Sequence, residues 1–428
     1  MGVINTYYPR AIEAVVKKSF QNNKIVSLLG ARQTGKSTVV EHLFPAMERA
    51  SLKTVFTIQS ARSNPDSFLT GLGVPAFIDE VQNAPELFGS LQEAVDKRNT
   101  YSQYILSGSN KTQIDARIKE SLSGRTSILE MNGLSLRELH GVSFNRHFIP
   151  TPEYLQQRKM GLKPYGDVWE YIHRGSYPEL YDNPNKDWEE FYSSYVQTYI
   201  EKDVLSIVKI KDLTAFTRFL SAVAARTGEI LDYQSIADNV GVSPVTIKEW
   251  LSVLIKTNIV FLLQPYYSSH LKRAIRSPKL YFKDTGLAAY LSGWLSKDQL
   301  MRGAKNGEFF ETFVINELVK SFANEGLKYD NRVFFYNGKD KTKKKIKRDG
   351  ETYEVEVQAE IDFVIEENGV LYPVEIKMKD NPDVYDATAF DVLDKDIEKQ
   401  KGMGIIISSN KERVQIAEHL ICLPIEYI

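Results

Sequence analysis

One glycine-rich segment constrains this chain more than any other feature. It reads Gly30-Ala31-Arg32-Gln33-Thr34-Gly35-Lys36-Ser37 and fits the pattern G-x-x-x-x-G-K-[ST] in full. The apolar run 25–29 before it predicts a buried strand, and residues 39–43 after it predict the start of a helix. A strand that feeds a glycine loop and then a helix lets backbone N–H groups surround phosphate oxygens. The segment therefore predicts nucleotide binding, with ATP as the nucleotide.

The residues of this segment have separate expected roles. Gly30 and Gly35 let the backbone approach the phosphates, Lys36 neutralises the β and γ charges, and the Ser37 hydroxyl can ligate Mg²⁺. A glycine turn before an ordinary helix would explain the glycines, but not Lys36 and Ser37 together. The residues expected to bind the cofactor are Gly30, Ala31, Arg32, Gln33, Thr34, Gly35, Lys36, Ser37 and Thr38.

Polar residues end two further apolar runs. The run 74–80 ends in Asp79-Glu80, and behind a phosphate loop we expect Asp79 to hold Mg²⁺ and Glu80 to polarise the attacking water. The run 103–109 ends in two serines, and a hydroxyl there can sense the γ-phosphate or position the water. Ser107 and Ser109 share a strand face. Ser109 is preferred because it lies nearer the end of the strand. Residues 54–58 predict another strand.

An arginine after the next short helix is a candidate for the group that reaches a neighbouring subunit's nucleotide. Arg125 follows Ser123-Gly124 and is the first candidate, while Arg117 is the second. A surface or helix-capping arginine is the alternative interpretation of Arg125.

Composition sets the broad class. A length of 428 residues predicts several domains, and a net charge of −1 argues against a generally nucleic-acid-coated surface. The single cysteine, Cys422, excludes a disulfide framework and fits a reducing compartment. No apolar run approaches membrane-spanning length, so we expect a cytoplasmic protein without a membrane partner.

The pattern predicts an α/β fold with four domains. Residues 1–145 form the strand–helix core that carries the phosphate loop, and residues 146–205 form a helical lid. Residues 206–300 predict a winged helix-turn-helix, followed by a basic patch. This patch consists of Lys272, Arg273, Arg276 and Lys279. The patch can contact DNA phosphates, but such modules also serve as spacers or oligomer contacts. The second helix offers a poor face for base reading, which favours recognition of DNA structure over sequence.

Residues 301–428 contain a third group of polar residues. If Asn368-Gly369 is a two-residue hairpin turn, Asp362 lies directly opposite Glu375. Lys377 then shares their face. Two opposed carboxylates repel unless a cation lies between them, so this arrangement predicts a Mg²⁺ site with a lysine, suited to phosphodiester hydrolysis. Pro373 restricts its strand to an edge or a non-bonded position. Chance pairing on a polar sheet face is the alternative.

A basic segment precedes this hairpin. Residues 341–348 read Lys-Thr-Lys-Lys-Lys-Ile-Lys-Arg and are interpreted as a basic loop. Only proximity to the carboxylates would favour DNA contact; a disordered hairpin tip is the alternative.

Nearly the whole chain resembles a family of bacterial and archaeal AAA+-type P-loop ATPases whose C-terminal domain of unknown function is related to the PD-(D/E)xK restriction-endonuclease-like fold. The resemblance is carried by the segments 30–37, 77–80, 105–109, 121–125, 174–178, 277–287, 310–311, 361–363 and 375–377. It implies a winged helix between motor and nuclease-like domains, and a homo-oligomeric ring, such as a hexamer, with sites between subunits. It also implies that Glu311 joins the site of Asp362, Glu375 and Lys377, where it acts as a metal ligand together with the two carboxylates. The segment 339–348 departs from the family pattern as an insertion.

The sequence thus predicts a ring-forming, ATP-hydrolysing motor that acts on DNA and carries a Mg²⁺-dependent nuclease-like domain. One alternative is an ATP-gated scaffold that recognises a DNA structure or a protein without cutting. A second is a protein-directed AAA+ remodeller, whose ATP hydrolysis DNA would not stimulate.

Overall fold

The computed structural model describes residues 7–183, 185–200, 212–267, 277–348, 351–395 and 398–428. An α/β core comes first, built on five strands. These are β1 (Ile25–Leu29), β2 (Glu48–Ser51), β3 (Ala76–Asp79), β4 (Tyr104–Gly108) and β5 (Thr126–Glu130). The order is β2-β3-β4-β1-β5, and all four pairings are parallel. Because β3, β4 and β1 are neighbours, the polar segments that follow them meet at one edge of the sheet.

Helices cover both faces of this sheet. They are α1 (Glu13–Asn22), α2 (Lys36–Leu43), α3 (Val55–Ser63), α4 (Pro65–Leu72), α5 (Leu87–Arg98) and α6 (Lys111–Arg117). Ile25 and Leu29 of β1 belong to one hydrophobic core, whereas Val26 and Leu28 belong to another. This alternation is the one expected of a strand buried on both faces. The α/β class and the parallel P-loop core predicted from the sequence are confirmed.

The predicted strand at residues 54–58 is wrong. Thr54 is the N-cap of α3, and its hydroxyl accepts a 3.2 Å hydrogen bond from Thr57 N. Val55 and Phe56 suggested a strand because β-branched and aromatic residues favour one. Their side chains are 80% and 84% exposed, and the strand at this position of the sheet is β2 instead. The cap therefore outweighs the local strand propensity.

A helical region follows the core. It contains α7 (Leu136–Leu139), α8 (Pro152–Lys159), α9 (Val168–Arg174), α10 (Pro178–Asp182), α11 (Trp188–Tyr195) and a helical turn at Val196–Ile200. Of the helical lid predicted at 146–205, the described residues contain these helices, whereas residues 201–205 lie outside the described residues. These helices share one hydrophobic core with residues of the later segments, up to Ile428.

The next segment contains α12 (Leu213–Ala224), α13 (Tyr233–Val240), α14 (Pro244–Lys256), β6 (Val260–Leu263), β7 (Lys279–Phe282), α15 (Thr285–Ser292) and α16 (Lys297–Arg302). Ser243 caps α14, with Pro244 at its first position, as the sequence predicts. β6 and β7 pair antiparallel. The elements of a helix-turn-helix and a short wing thus occur in order, and the winged-helix assignment stays a prediction.

The last part of the chain combines one long helix with a mixed sheet. The helix is α17 (Asn306–Asn324). The strands are β8 (Val333–Arg348), β9 (Glu351–Glu367), β10 (Val370–Lys377), β11 (Gln400–Lys401), β12 (Gly404–Ser408), β13 (Val414–Ala417) and β14 (Leu420–Pro424). The order is β13-β14-β12-β10-β9-β8, and β11 pairs with β10. β10, β12 and β14 run parallel to one another, whereas β8, β9 and β10 form antiparallel pairs.

The predicted hairpin turn is confirmed. Glu367 pairs with Val370, and the register continues to Phe363 opposite Val374. Asn368 and Gly369 have φ values of 51° and 79°. A two-residue type I′ turn requires a positive φ at both of these positions. Of the two positions expected for Pro373, an edge strand and a non-bonded position, the edge strand is excluded, because β10 lies between β9 and β12. Pro373 is tolerated there since β11 pairs only with residues 370–371 and β12 only with residues 374–377.

In the part of the chain that the structure describes, no helix is both long and apolar enough to cross a membrane.

Candidate functional site

The phosphate loop lies between β1 and α2. Gly35 has a φ of 91°, a conformation that residues with a Cβ rarely adopt. The Lys36 ammonium turns back onto the loop and donates to Gly30 O at 3.0 Å and to Ala31 O at 2.7 Å. Burial lowers the pKa of Lys36 to about 8, although Glu80 and Asp79 favour its charged form. The loop therefore holds its lysine folded inward, where the loop's own carbonyls satisfy it.

Asp79 ends β3 beside this loop and is engaged by cationic and hydroxyl donors. The Lys53 ammonium lies 2.6 Å from Asp79 Oδ2, and the hydroxyls of Ser107 and Ser37 also bond to this carboxylate. Burial alone would raise the pKa of Asp79, but the bonds from Lys53 and Ser107 outweigh it and hold the pKa below its ordinary value. The Lys53 ammonium thus supplies the positive charge beside Asp79. A hydroxyl and a carboxylate in contact are the oxygen ligands that Mg²⁺ prefers, so Ser37 and Asp79 fit that ion.

Glu80 follows in a strained backbone conformation. Its φ of 59° is uncommon outside glycine and marks a position that the surroundings must enforce. Its carboxylate accepts a hydrogen bond from Gln82 Nε2 and another from Ser109 Oγ at 3.2 Å. Ser107 thus contacts Asp79, whereas Ser109, the preferred serine, contacts Glu80. Asp79 and Glu80 therefore have different partners, and their separate roles stay a prediction.

Arg10 is a further residue of this site that the sequence patterns did not predict. Its guanidinium donates to Thr34 O in the phosphate loop at 2.7 Å, to Asn132 O at 2.8 Å and to Glu138 Oε1 at 3.0 Å. Arg10 and Glu138 are both buried. Burial would raise the pKa of Glu138, but the Arg10 charge and backbone donors hold it below its ordinary value. No spacing rule links Arg10 to a loop more than twenty positions later, so only the fold reveals this clamp.

A cleft of about 410 Å³ opens beside the loop. Tyr7, Tyr8, Gln33, Thr38 and Pro178 are among its lining residues. Tyr7 stacks on His42 of α2 with ring centroids 3.9 Å apart, and the Tyr8 hydroxyl donates to Tyr181 O at 3.1 Å. The cleft has the volume and aromatic lining expected for the nucleoside part of a nucleotide.

Arg125 lies at the opposite end of the sheet from the phosphate loop. Its carbonyl accepts a hydrogen bond from Ile25 N at the start of β1, whereas the loop follows the end of β1. Its guanidinium makes a two-pronged ion pair with Asp96, which holds the pKa of that carboxyl at about 2. Arg117, the second candidate, pairs with Glu120 at 3.0 Å and is exposed. Neither arginine completes the site of its own chain, and the assignment to a neighbour's site stays a prediction.

The C-terminal residues predicted to converge do so. One step beyond the observed pairs brings Asp362 opposite Glu375, and Asp362 Oδ2 accepts a 2.8 Å bond from Ile376 N. Lys377 Nζ bonds to Glu375 and lies 3.8 Å from Asp362 Oδ2. Burial, with the Asp362 charge added, raises the pKa of Glu375 to about 8. Glu375 Oε2 is buried and has no hydrogen-bond partner among the described residues. An added cation would satisfy that oxygen.

Glu311 of α17 lies near these carboxylates. Burial raises its pKa to about 7, and the Asp362 charge contributes to the rise. In the described ranges no three His, Cys, Asp or Glu side chains are grouped so as to hold a metal ion. Lys377 instead occupies the space between Asp362 and Glu375. Metal ligation by Glu311, Asp362 and Glu375 therefore requires Lys377 to move and stays a prediction.

The two basic segments differ from their predicted forms. Lys272, Arg273 and Arg276 lie outside the described residues. The prediction that Lys279 contacts phosphate is wrong, since Lys279 is only 4% exposed and pairs with Glu311 and Glu360.

The segment 341–348 is not a loop but the outer half of β8, in register with β9. Lys341 and Lys343 pair with glutamates of β9 across the ribbon. Alternating lysines and glutamates on facing strands favour an extended ribbon over a loop.

Three family models match separate parts of the chain. Residues 22–140 match a family described as AAA domain. Residues 165–298 match Domain of unknown function (DUF8612), and residues 306–428 match Domain of unknown function (DUF4143). The predicted domain limits, 1–145, 146–205, 206–300 and 301–428, stay a prediction.

Similar proteins were found in sequence and in structure. Uncharacterized proteins from Mycobacterium bovis and Mycobacterium tuberculosis are each 24% identical over 421 residues, covering 98% of this chain and 84% of the relative. A Walker-type ATPase of Pyrococcus abyssi is 14% identical, with a TM-score of 0.44 over 67% of this chain and 96% of that chain. A RuvB variant from Thermotoga maritima is 17% identical, with a TM-score of 0.29 over 59% of this chain and 85% of that chain. Together with the loop geometry, the AAA-domain match supports an AAA+-type P-loop ATPase in the amino-terminal part of this chain.

Proposed function

We propose that this protein is an ATP-hydrolysing motor that acts on DNA and carries a Mg²⁺-dependent phosphodiesterase site in its C-terminal domain. The observation that supports the motor most directly is the meeting of Lys36, Asp79 and Glu80 at the carboxyl ends of β1 and β3, which flank β4. This arrangement supplies a cation for phosphates, a carboxylate for a metal and a carboxylate for a water.

Nucleotide binding rearranges Lys36 and Lys53. The Lys36 ammonium leaves the carbonyls of Gly30 and Ala31 for the β and γ phosphates, while the loop's N–H groups bind the phosphate oxygens. Ser37 and Asp79 hold Mg²⁺, which when bound neutralises charge on the phosphates. Lys53 has to release Asp79 for this to happen.

Glu80 activates the water. Gln82 and Ser109 both donate to Oε2 of Glu80, so its other oxygen, Oε1, is the one that orients the water. Ser109 then remains as the hydroxyl at the end of β4 that positions Glu80 or the γ-phosphate.

We further propose a homo-oligomeric ring in which Arg125 acts on the neighbour's nucleotide. The location of Arg125 at the far end of the sheet supports a role outside its own site. Asp96 holds its guanidinium in the free chain and would release it on assembly.

For the second site, Asp362 and Glu375 ligate a divalent cation, with Glu311 as the third carboxylate. A cation held there would supply Lewis-acid polarisation of a phosphodiester and would favour deprotonation of a bound water. Lys377 moves from Glu375 toward the developing phosphate charge. The orphaned Glu375 Oε2 is the feature that favours a cation here.

A non-cleaving scaffold is the second candidate. It is favoured by Lys377, whose bonds already neutralise Asp362 and Glu375 without a metal. In that case the domain would bind a DNA structure or a protein under the control of ATP.

One experiment separates these functions. ATPase rates are measured without DNA and with single-stranded, duplex and branched DNA, and cleavage is followed in Mg²⁺ and Mn²⁺. We expect DNA to stimulate hydrolysis, Lys36→Ala to lose nucleotide binding, and Asp362→Asn to abolish cleavage while leaving ATP hydrolysis nearly unchanged. Hydrolysis that no DNA stimulates would favour the protein remodeller. Absence of cleavage and of metal binding, with hydrolysis intact, would favour the scaffold.

A further inference from the structure

Two residues from outside the C-terminal sheet reach its carboxylate cluster. Lys279 and Tyr281 belong to β7, which pairs with β6 and not with the seven-stranded sheet. Residues two apart in a strand share a face, so both side chains point the same way. That face meets Glu311 on α17.

Both side chains donate to the same carboxylate oxygen. The Tyr281 hydroxyl donates to Glu311 Oε1 at 2.6 Å, and Lys279 Nζ lies 3.2 Å from it. Lys279 Nζ also lies 2.8 Å from Glu360 Oε1 and 5.7 Å from the centre of the Phe335 ring. Tyr281 and Lys279 are buried. Burying an ammonium and a phenol is costly unless both are paired, and Glu311 is the partner that they share.

The backbone around these donors is fixed on several sides. β7 is bonded to β6 along one edge, and its other edge contacts the segment 228–230 through Gly228 N to Leu280 O at 2.7 Å and Leu280 N to Glu229 O at 2.9 Å. α17 is attached to the same strand, because Asn316 Nδ2 donates to Phe282 O at 2.8 Å. The Tyr281 ring stacks on Phe261 with centroids 5.5 Å apart. The donors and the helix that bears Glu311 are therefore held in one register.

The surroundings of Glu311 explain why it needs these donors. Its charged neighbours are Lys279 on β7, Glu360 and Asp362 on β9, and Glu375 and Lys377 on β10. The carboxylates there repel Glu311, while Lys377 is engaged with Glu375 and Asp362. Lys279 is the lysine bonded to Glu311 itself.

We propose that Lys279 and Tyr281 are positioning residues of the carboxylate site, holding Glu311 Oε1 so that the rest of this carboxylate is presented to a divalent cation shared with Asp362 and Glu375. This inference rests on the proposed phosphodiesterase site. It makes that site composite, since Lys279 and Tyr281 lie in the segment matched at 165–298 and the carboxylates in the segment matched at 306–428. The C-terminal segment alone lacks both donors.

The test measures Mn²⁺ binding to the full-length chain by calorimetry, without nucleotide. Asp362→Asn serves as the reference, so that binding at other places is subtracted. Lys279→Met and Tyr281→Phe should each weaken Mn²⁺ binding about tenfold or more, the usual effect of removing a group that orients a metal ligand. Lys279→Arg keeps the charge and should retain tighter binding than Lys279→Met. Lys297→Met is the matched control, because Lys297 pairs with Asp167 and Glu170 away from this cluster.

The outcomes separate the inference from the function beneath it. Wild-type binding that neither variant weakens overturns the positioning role and leaves the metal site standing. Wild-type chain that binds no Mn²⁺ beyond the Asp362→Asn reference overturns the phosphodiesterase site and this inference with it. Tyr281→Phe removes a single oxygen and keeps the ring stacked, so it decides the question if Lys279→Met does not fold. An equal loss in Lys279→Arg and Lys279→Met would overturn the part assigned to the lysine charge.

Discussion

The backbone amide of Leu136 donates a 2.8 Å hydrogen bond to Glu317 Oε2, which joins the first turn of α7 to the middle of α17. Lys320, one turn further along α17, donates to Leu134 O and pairs with Glu317 at 2.8 Å. Residues 134–136 follow β5 and lie beside Gly133, whose carbonyl Arg10 contacts. Glu311 lies six residues before Glu317, about 9 Å along the same helix. One helix thus contacts the surroundings of the phosphate loop and also carries a residue of the carboxylate cluster.

Glu317→Ala should be strongly destabilising. Glu317 and Lys320 have side chains that are each 5% exposed, so the variant leaves a buried ammonium without its carboxylate. The expected loss is about 3–5 kcal/mol in the free energy of unfolding, measured in urea. Glu308→Ala, which removes a half-buried carboxylate paired with Lys305 on the first turn of α17, is the control and should cost about 1 kcal/mol or less. Equal effects of the two variants would show that the Glu317 link does not stabilise the fold.

Arg10→Met should reduce both stability and nucleotide affinity. Removing the guanidinium leaves Glu138 buried without its cation, with only backbone and hydroxyl donors remaining, at a cost of about 3–5 kcal/mol. It also frees Thr34 O and so loosens the phosphate loop. Arg49→Met, which removes an exposed arginine 3.8 Å from Glu41, should change stability by about 0.5 kcal/mol or less. Urea unfolding and ATP titration measure the two effects. Normal ATP affinity in a folded Arg10→Met chain would show that the bond from Arg10 to Thr34 O does not shape the phosphate loop for nucleotide binding.

The same pair predicts how stability depends on pH. The folded-state pKa of Glu138 is lowered from its ordinary value of 4.5, so the unfolded chain binds this proton first as the pH falls. The contribution of Glu138 is therefore present at neutral pH and is lost as the pH falls below about 4.5 and through the folded-state pKa. We expect the stability gap between wild type and Glu138→Gln to shrink in urea titrations from about pH 6 to about pH 3. A gap that stays constant would mean that the Glu138 charge is not the stabilising feature.

The parts of this structure that the sequence predicted are those set by local rules. The phosphate loop, the strand ending at Asp79 and the Asn368-Gly369 turn each follow from residue types within about ten positions. Counting residues outward from the turn places Asp362 opposite Glu375, in agreement with the observed register. The strand predicted at 54–58 failed because Thr54 caps a helix, whose first two apolar residues, Val55 and Phe56, are exposed.

What the sequence could not predict depends on contacts between distant segments. Arg10 meets Glu138 across 128 positions, and Lys279 meets Glu311 across 32. A lysine near three other basic residues suggests a phosphate contact, yet Lys279 lies on a strand face that the docking of α17 buries. Only the packing of the middle segment on α17 decides which lysines are exposed.

Gln82→Ala should raise the basal ATPase rate. Gln82 Nε2 donates to Oε2 of Glu80, and a donor on this carboxylate makes it a weaker hydrogen-bond acceptor for the attacking water. A hydrogen bond to a charged group contributes about 1.5–3 kcal/mol, so its loss permits an increase in turnover of about tenfold or more. Glu80→Gln should retain ATP affinity but stop turnover, and the double variant should be equally inactive. Lower turnover in Gln82→Ala would instead assign Gln82 to the catalytic arrangement.

The assignment of Arg125 to a neighbour's site can be tested by mixing two inactive chains. An Arg125→Ala chain keeps its own Glu80, and a Glu80→Gln chain keeps its Arg125, so one of the mixed interfaces has both groups intact. With equal amounts and random order, that interface arises with probability one half times one half, and about a quarter of wild-type activity should return. The exposed pair Arg117–Glu120 supplies the control, since Arg117→Ala alone should stay active. The rate of hydrolysis per wild-type chain should also rise with protein concentration. If subunit exchange is demonstrated and no activity returns, Arg125 acts within its own chain through the Asp96 pair at the amino end of β1.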